Sequence, residues 1–417
     1  MKRIVKRAFA QALRSPRVRR LARRLVPEPV LMDAIYRAAY SRKSMEAPLI
    51  EFLEASDGVD FNKIRELNIK WLKRTPRKVD SVNILTIPIS KDPSAGPRQI
   101  IELARFLKSK NIEIHFTLFG NFKDDQVSTF RDVLSYYGIG DSKLHLIRKL
   151  ADVDSLPHAS IGIATYWTTA YPLLFVNDVD AKMYYIQDEE SRFYPASLDG
   201  YFAELTYSFG FIGVTNDSVI RQWYEKNMPC YQVPYTFLRA RKRKEINHLK
   251  EVKNIFTYYR YFPRNSPELV YEVAKRIKEL HPSLKIYFAG AHAPDDRYGI
   301  SLGWLATEKL LELYEESDIC LYFMFNLHSG IIPWECMDAG SIVVTNKKPL
   351  QHPYLVHGYN SLIVNPTIGS VVRALDTIIK DEELRKSLIA NGYKTVDRYV
   401  SEAKALWEKF YEDLTSR

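Results

Sequence analysis

The sequence predicts an α/β chain of two Rossmann-like, doubly wound domains, each a parallel sheet covered by helices on both faces. Three observations lead there. The 417 residues, 46 % of them hydrophobic, are enough for two ordinary cores. From Val82 onward short apolar runs alternate with segments of helical period, the pattern of strand–helix–strand crossovers. Near the C-terminal end, Ile319 to Phe325 is one continuous apolar run, as expected of a strand buried on both faces of a parallel sheet. The expected organisation is a basic helical arm over 1–45, a first domain over 46–245, a second over 246–400 and a final crossing helix over 401–417.

Residues 1–27 hold ten Lys/Arg and no acid, so the rest of the chain is neutral and the whole formal charge of +10 resides in this arm. Ile4, Val5, Ala8, Phe9, Ala12 and Leu13 recur at helical spacing, and Val18, Leu21 and Leu25 continue the stripe after Pro16. A basic amphipathic helix suits an anionic membrane surface; a solvated helix packed on its own domain is the plain alternative. Nucleic acid accepts such charge too, but no aromatic platform is interleaved with it, so no nucleic-acid partner is expected. Nothing approaches a membrane span of about 20 apolar residues: the nearest run, Ile161 to Val176, is broken by three Thr and Pro172. With no secretory signal visible, the expected location is the cytoplasm, peripheral on the inner face of the plasma membrane. Cys230, Cys320 and Cys336 read as ordinary buried thiols.

Ala47 to Leu53 and Phe61 to Leu72 read as helices that brace the first sheet. Val82 to Ile89 is a strand, Ser94-Ala-Gly96-Pro97-Arg98 a loop and Gln99 to Lys108 a helix. Gly96 lets backbone approach a ligand there, although a plain turn needs a Gly as well. Ile112–Leu118, Leu144–Ile147, Ile161–Thr165, Met183–Ile186 and Phe211–Val214 come next as strands, with a helix over Gln126–Tyr137. Gln187-Asp188-Glu189-Glu190 directly succeeds the Tyr184-Tyr185-Ile186 strand. Acids in a row are usually a solvated loop, but these stand at the carboxyl end of a buried strand. Tyr166-Trp167-Thr168-Thr169 comes after another strand, to line an acceptor or to pack the core. Arg239, Arg241, Lys242, Arg243 and Lys244 read as an exposed linker face, able to attract an anionic acceptor.

The second domain opens with Asn254-Ile-Phe-Thr-Tyr258-Tyr-Arg260. Arg260 and Arg264 flank a short loop before a helix over Glu268–Leu280, and planar guanidinium forks there match a diphosphate; an ordinary ion pair is the alternative for each. Leu284–Ala289 is a strand, and Trp304 to Tyr314 a helix whose start, with Thr307, is expected near a nucleobase. After the Ile319–Phe325 strand, His328-Ser329-Gly330 forms a loop, Pro333 suits the first turn of a helix, and Gly340 can end it in the left-handed conformation. A helix start at a strand's carboxyl end is where open α/β sheets hold phosphates, and Glu335, one turn in, can accept a hydrogen bond from a sugar hydroxyl. Val371–Ile379 and two more helices complete the chain, the last over Glu402–Leu414. Asp152-Val-Asp154 and Asp178-Val-Asp180 could hold Mn²⁺ or Mg²⁺ on a diphosphate, but neither comes directly after a buried strand, so no metal is expected.

The small-residue loop leading into Pro333-Trp334-Glu335 resembles the nucleotide-sugar loop of retaining GT-B glycosyltransferases. The chain is more closely similar to bacterial rhamnosyltransferases of the WsaF type, on the His328-Ser329-Gly330 loop, Gln187-Asp188-Glu189-Glu190, Phe193-Tyr194-Pro195, Tyr258-Tyr259-Arg260 and Arg264-Asn265. Order and spacing agree from about residue 80 to 400. The resemblance implies transfer of rhamnose from dTDP-rhamnose, with retention, to a growing lipid-linked surface glycan, in a cleft between the domains and without cofactor. It places Gln187 and Asp188, with Arg260, as catalytic groups on the sugar or acceptor, and Gly96 and Arg98 of the first-domain loop on the donor. Tyr258, Arg260, Arg264, Thr307, His328, Ser329, Gly330, Ile331 and Glu335 fall on the donor. One departure stands out. The broader family often carries a second Glu eight residues before the one at Glu335, and here that position is Leu327. A nucleotide-sugar epimerase and a non-catalytic membrane or nucleic-acid binder are the competing classes.

Overall fold

The computed structural model describes residues 47–75, 77–91, 93–194, 196–237, 239–246 and 251–416; the basic arm of residues 1–27 lies outside them. The chain forms two compact units, one running to Thr236 and taking in Asn326–His328 and Val400 onward, the other made of Phe237–Phe325 and Ser329–Tyr399. The sequence placed the change of domain at 245/246; the chain enters the second unit at Phe237.

In the first unit, helices α1 (Ala47–Ser56) and α2 (Phe61–Leu72) precede the sheet. Asp60 starts α2 by accepting the Asn62 N–H at 3.0 Å. Then come β1 (Ser81–Thr86), α3 (Ala95–Ser109), β2 (Glu113–Phe119), α4 (Asp124–Tyr136), β3 (Lys143–Ile147), β4 (Ala159–Ala164), α5 (Trp167–Phe175), β5 (Val179–Ile186), α6 (Leu198–Leu205), β6 (Ile212–Thr215), α7 (Ser218–Tyr224) and β7 (Cys230–Gln232). The seven strands lie in the order β3-β2-β1-β4-β5-β6-β7, every pairing parallel. β1 and β4 are buried at every position, as helices on both faces require. The order reverses between these two strands, which makes their carboxyl ends the switch point where such sheets bind ligands. The helix after β1 starts earlier than expected: Gly96 and Arg98 lie in the first turn of α3 and not in a loop, because Ser94 takes the extended cap conformation and the Arg98 N–H already donates to its carbonyl at 3.1 Å.

The second unit holds β8 (Asn254–Tyr259), α8 (Pro267–Leu280), β9 (Lys285–Gly290), β10 (Ile300–Gly303), α9 (Thr307–Glu316), β11 (Ile319–Tyr322), α10 (Ile332–Ala339), β12 (Ile342–Asn346), β13 (Ser361–Val364) and α11 (Ile368–Lys380). Its six strands run β10-β9-β8-β11-β12-β13, again all parallel, with the reversal between β8 and β11. β11 ends at Tyr322, short of the Phe325 expected, because the next N–H groups leave the ladder: Met324 donates to the Asn346 Oδ1 at 2.9 Å and Phe325 to the Arg264 carbonyl at 2.8 Å. Trp304 likewise precedes α9 and is not part of it.

Two helices were expected after Val371–Ile379. Beyond α11 there is one, α12 (Glu382–Thr415), of 34 residues. No Pro interrupts it, and Gly392 lies within it beside Met337. Its last turn is capped within the first unit by Arg77, whose Nε donates to the Leu414 carbonyl and whose N–H donates to the Thr415 carbonyl, both at 3.1 Å. Among the described residues no helix is long and apolar enough to cross a membrane.

Three aspartates of the two Asp-x-Asp triplets have protein partners. Asp152 accepts the N–H groups of Arg148 and Lys149 at 2.8 and 3.0 Å. Asp178 binds His158 at 2.8 Å and Asp180 binds Arg74 at 3.4 Å.

The 239–244 run is exposed at Arg239, Arg241 and Lys242, as read from sequence, but its arginines are paired with acids of the second unit. Asp338, on α10 and 1 % exposed, takes the guanidinium groups of Arg239 at 2.8 Å and Arg243 at 2.7 Å, and Arg243 also reaches Asp397 at 2.6 Å. Lys244 donates to the Ser317 carbonyl and pairs with Asp318 at 3.3 Å, and Arg241 pairs with Glu312 at 3.5 Å. Arg239 and Arg243 thus clamp the C-terminal half of α10 through Asp338.

Candidate active site

At the switch point of the second unit, the carboxyl ends of β8 and β11 lie side by side in parallel register. Arg260 leaves β8 half-buried. Its Nε donates to the Tyr258 hydroxyl at 3.1 Å, and its guanidinium carbon lies 4.4 Å from the centre of the Trp304 ring and 5.4 Å from that of Tyr258. None of the described carboxylates lies within ion-pair distance of it, so two aromatic faces and one hydroxyl hold the cation. Gly290, at the end of β9, backs this arrangement: a Cβ there would lie 2.9 Å from the Arg260 Cδ.

The Tyr258 ring sits 5.7 Å from Tyr322 at the end of β11. The Tyr322 hydroxyl in turn lies where a side chain on Gly330 would have to go. Gly330 has φ +71°, so this turn needs a glycine for both reasons. A chain of contacts thus joins Arg260 to the turn that opens α10. There Ile331 is the cap, its carbonyl accepting the Trp334 and Glu335 N–H groups at 3.1 and 3.2 Å. The N–H groups at the helix start are the usual anion-binding donors. Pro333 falls in the first turn and Gly340 ends the helix at φ +84°. Glu335 and Ser329 are buried, at 2 % and 3 % exposure.

Arg264 stacks on Phe262 at 4.5 Å. Its neighbour Asn265, buried, ties this loop to β11 by donating to the Phe323 carbonyl at 3.3 Å. Ser266, with φ +44°, then turns the chain into α8 at Pro267. Thr307 stands at the start of α9, just beyond Trp304.

In the first unit the carboxyl end of β5 carries Gln187 and Asp188. Gln187 meets the start of α3: a Cβ on Gly96 would lie 3.4 Å from its Oε1. Asp188 is 4 % exposed. Its Oδ1 accepts its neighbour's N–H, from Glu189, at 2.9 Å. Its Oδ2 accepts the Asn326 amide at 2.6 Å and lies 3.1 Å from His328 Nε2. The other ring nitrogen of His328 is 3.2 Å from the Tyr235 hydroxyl. A carboxylate that fixes one face of an imidazole sets its orientation and tautomer. Leu327, between Asn326 and His328, packs against the apolar core of the first unit.

Next to this, Glu190 is fully enclosed. Its Oε2 accepts the Trp167 N–H at 2.6 Å and the Tyr184 hydroxyl at 2.8 Å, and burial pushes its carboxyl up to about 8. Trp167 is 3 % exposed and Tyr166 half-buried, and both bind the Tyr194 hydroxyl at 2.9 Å. The Tyr166–Trp167 segment therefore packs the core and braces the loop with Gln187.

Within the second unit the structure groups Tyr258, Arg260, Gly330 and Ile331; within the first it groups Asp188 with His328, and Gln187 with Gly96. Arg98 remains in the first turn of α3, half-buried. Sequence reading missed Tyr322, Tyr235 and Asn326, whose roles rest on partners distant in the chain.

Residues 239–395 match the family "Glycosyl transferases group 1". The O-antigen biosynthesis protein RfbC of Myxococcus xanthus is 31 % identical over 279 residues, 63 % of this chain. The chain spans about a fifth (21 %) of the length of that relative. Among solved structures, HepE of Anabaena in complex with UDP and glucose superposes with a TM-score of 0.63 at 12 % identity, over 81 % of this chain and 100 % of that one. A TarM variant of S. aureus, in complex with fondaparinux, alpha-GlcNAc-glycerol and UDP, gives 0.64 at 10 % identity over 81 % and 100 %. Two parallel sheets of seven and six strands, each reversing its order at a switch point, and these neighbours define the architecture: the chain has the GT-B fold, and its residues 239–395 are similar to the group 1 glycosyl transferases.

Proposed function

We propose that the chain transfers rhamnose from dTDP-rhamnose to a growing, lipid-linked surface glycan, with retention of configuration and without a metal ion. The observation that carries the proposal is Arg260, a guanidinium held between rings at the carboxyl end of β8 with no described carboxylate to neutralise it, linked through Tyr258 and Tyr322 to the Gly330 turn. As the glycosidic bond breaks, negative charge develops on the departing diphosphate. Arg260, Arg264 and the N–H groups near Gly330–Ile332 are the preorganised donors that take it, the kind of stabilisation that commonly supplies the largest catalytic contribution. Glu335 takes the deoxyribose 3′-hydroxyl and Thr307 stands near the base. In the first unit Asp188, with Gln187, takes hydroxyls of the rhamnose or the acceptor, and His328 supplies the polar group that Leu327 lacks. The match to an O-antigen biosynthesis protein supports a surface glycan as product. The arm of residues 1–27 is assigned to the anionic inner face of the plasma membrane, where a lipid-linked acceptor would stand.

A second donor merits equal measurement, because HepE and TarM were both solved with UDP: a UDP-hexose. Thermal unfolding with dTDP, UDP and GDP separates the two, since a ligand bound only by the folded state stabilises it by about 2.7 kcal/mol at a hundred times its Kd. The proposal expects dTDP to raise Tm most, and EDTA to leave turnover unchanged. A larger shift with UDP replaces the donor; no shift with any of the three removes the activity.

A further inference from the structure

We infer that Trp304 is the stacking platform for the base of the nucleoside diphosphate, and that Arg260 and Trp304 read base and phosphate as one paired element. The inference rests on the proposed nucleotide-sugar reading and adds to it the residue that contacts the base.

Trp304 is 53 % exposed, unusual for the largest apolar side chain, which ordinarily buries most of its area. It comes directly after Gly303, the last residue of β10, and so stands at the carboxyl edge of the same parallel sheet whose β8 ends at Arg260. One side of the indole is taken by the Arg260 guanidinium at 4.4 Å; the exposed remainder has no described ring against it. A planar cation stacked on a half-exposed indole, lacking a carboxylate partner, is complementary to a ligand that is both flat and anionic. A nucleoside diphosphate is such a ligand: its base covers apolar indole surface while its phosphates complete the guanidinium's hydrogen bonds.

The test uses the full chain and calorimetric titration with two probes, dTDP and inorganic pyrophosphate; UDP replaces dTDP if it binds tighter. Trp304→Ala should weaken nucleoside diphosphate binding roughly tenfold, within what one base–aromatic stack supplies, and leave pyrophosphate affinity unchanged. Trp304→Phe should restore most of the loss, which also guards against a misfolded Ala variant. Equal weakening of both probes would show that Trp304 acts only by holding Arg260, and unchanged binding of both would show that it takes no part; either result overturns the inference and leaves the nucleotide-sugar reading standing. If the unaltered chain binds no nucleoside diphosphate, that reading fails and the platform fails with it.

Discussion

Two groups of arginines in the second unit have opposite fates. Arg239 and Arg243 belong to a dense basic run, yet Asp338 and Asp397 neutralise them. Arg260 stands without a basic neighbour in its strand, yet among the described residues it has ring faces in place of a carboxylate. Local charge density therefore points to the wrong arginines. What decides is the partner that the fold delivers: the first group fixes α10 from its C-terminal half, and the second stands ready at the edge where its N-terminal turn opens. One helix is thus clamped at its C-terminal end, opposite the turn that Gly330 opens.

The sharpest way to break this contrast is to delete each charge in turn. Arg260→Ala should lower turnover roughly 10²- to 10³-fold, the cost of removing one donor to a developing anion, with little change in Tm. Asp338→Ala should instead destabilise the fold by about 3 kcal/mol, since it strips the buried partner from two arginines; denaturant unfolding reads this directly. Should Asp338→Ala leave stability unchanged, the clamp has no energetic content. Gly330→Ala should cost about 1–3 kcal/mol and lower donor affinity, because an added methyl at positive φ meets the Tyr322 hydroxyl. The smallest effect concerns Glu190 in the first unit. Its carboxyl is raised from 4.5 to about 8, so between those values the folded state holds a proton that the unfolded state has lost. Its contribution to stability is therefore full below about 4.5 and fades as pH rises to about 8. Glu190→Gln should flatten the decline of Tm from pH 5 to pH 8, and an unaltered profile would assign that decline to other groups.

The same contrast explains what could be read in advance. The β11–α10 turn was legible because its signals are local: an apolar strand, then Gly330, Pro333 and Gly340, each suited to one backbone position. The alternation of strands and helices gave both sheets for the same reason. The pairing within the 239–244 run was not foreseen because Asp338 and Asp397 lie 99 and 158 residues from Arg239, and a window of sequence cannot see them. Tyr322 passed unnoticed, and Trp304 was read only as a helix start, since stacking on Tyr258 and Arg260 leaves no periodic trace. The start of α3 was placed too late because Gly96-Pro97 reads as a breaker, whereas the first turn of a helix tolerates both. The pairing of Asp188 with His328 joins residues far apart in the chain, which no local pattern encodes.

The central claim is that one edge of the second sheet binds a nucleoside diphosphate through Arg260 and not through the neighbouring basic run. Calorimetric titration of dTDP into the unaltered chain, Arg260→Ala and Arg241→Ala tests it most directly. Affinity should fall at least tenfold for Arg260→Ala and stay unchanged for Arg241→Ala. Unchanged affinity for Arg260→Ala, or an equal loss at both positions, would contradict the account.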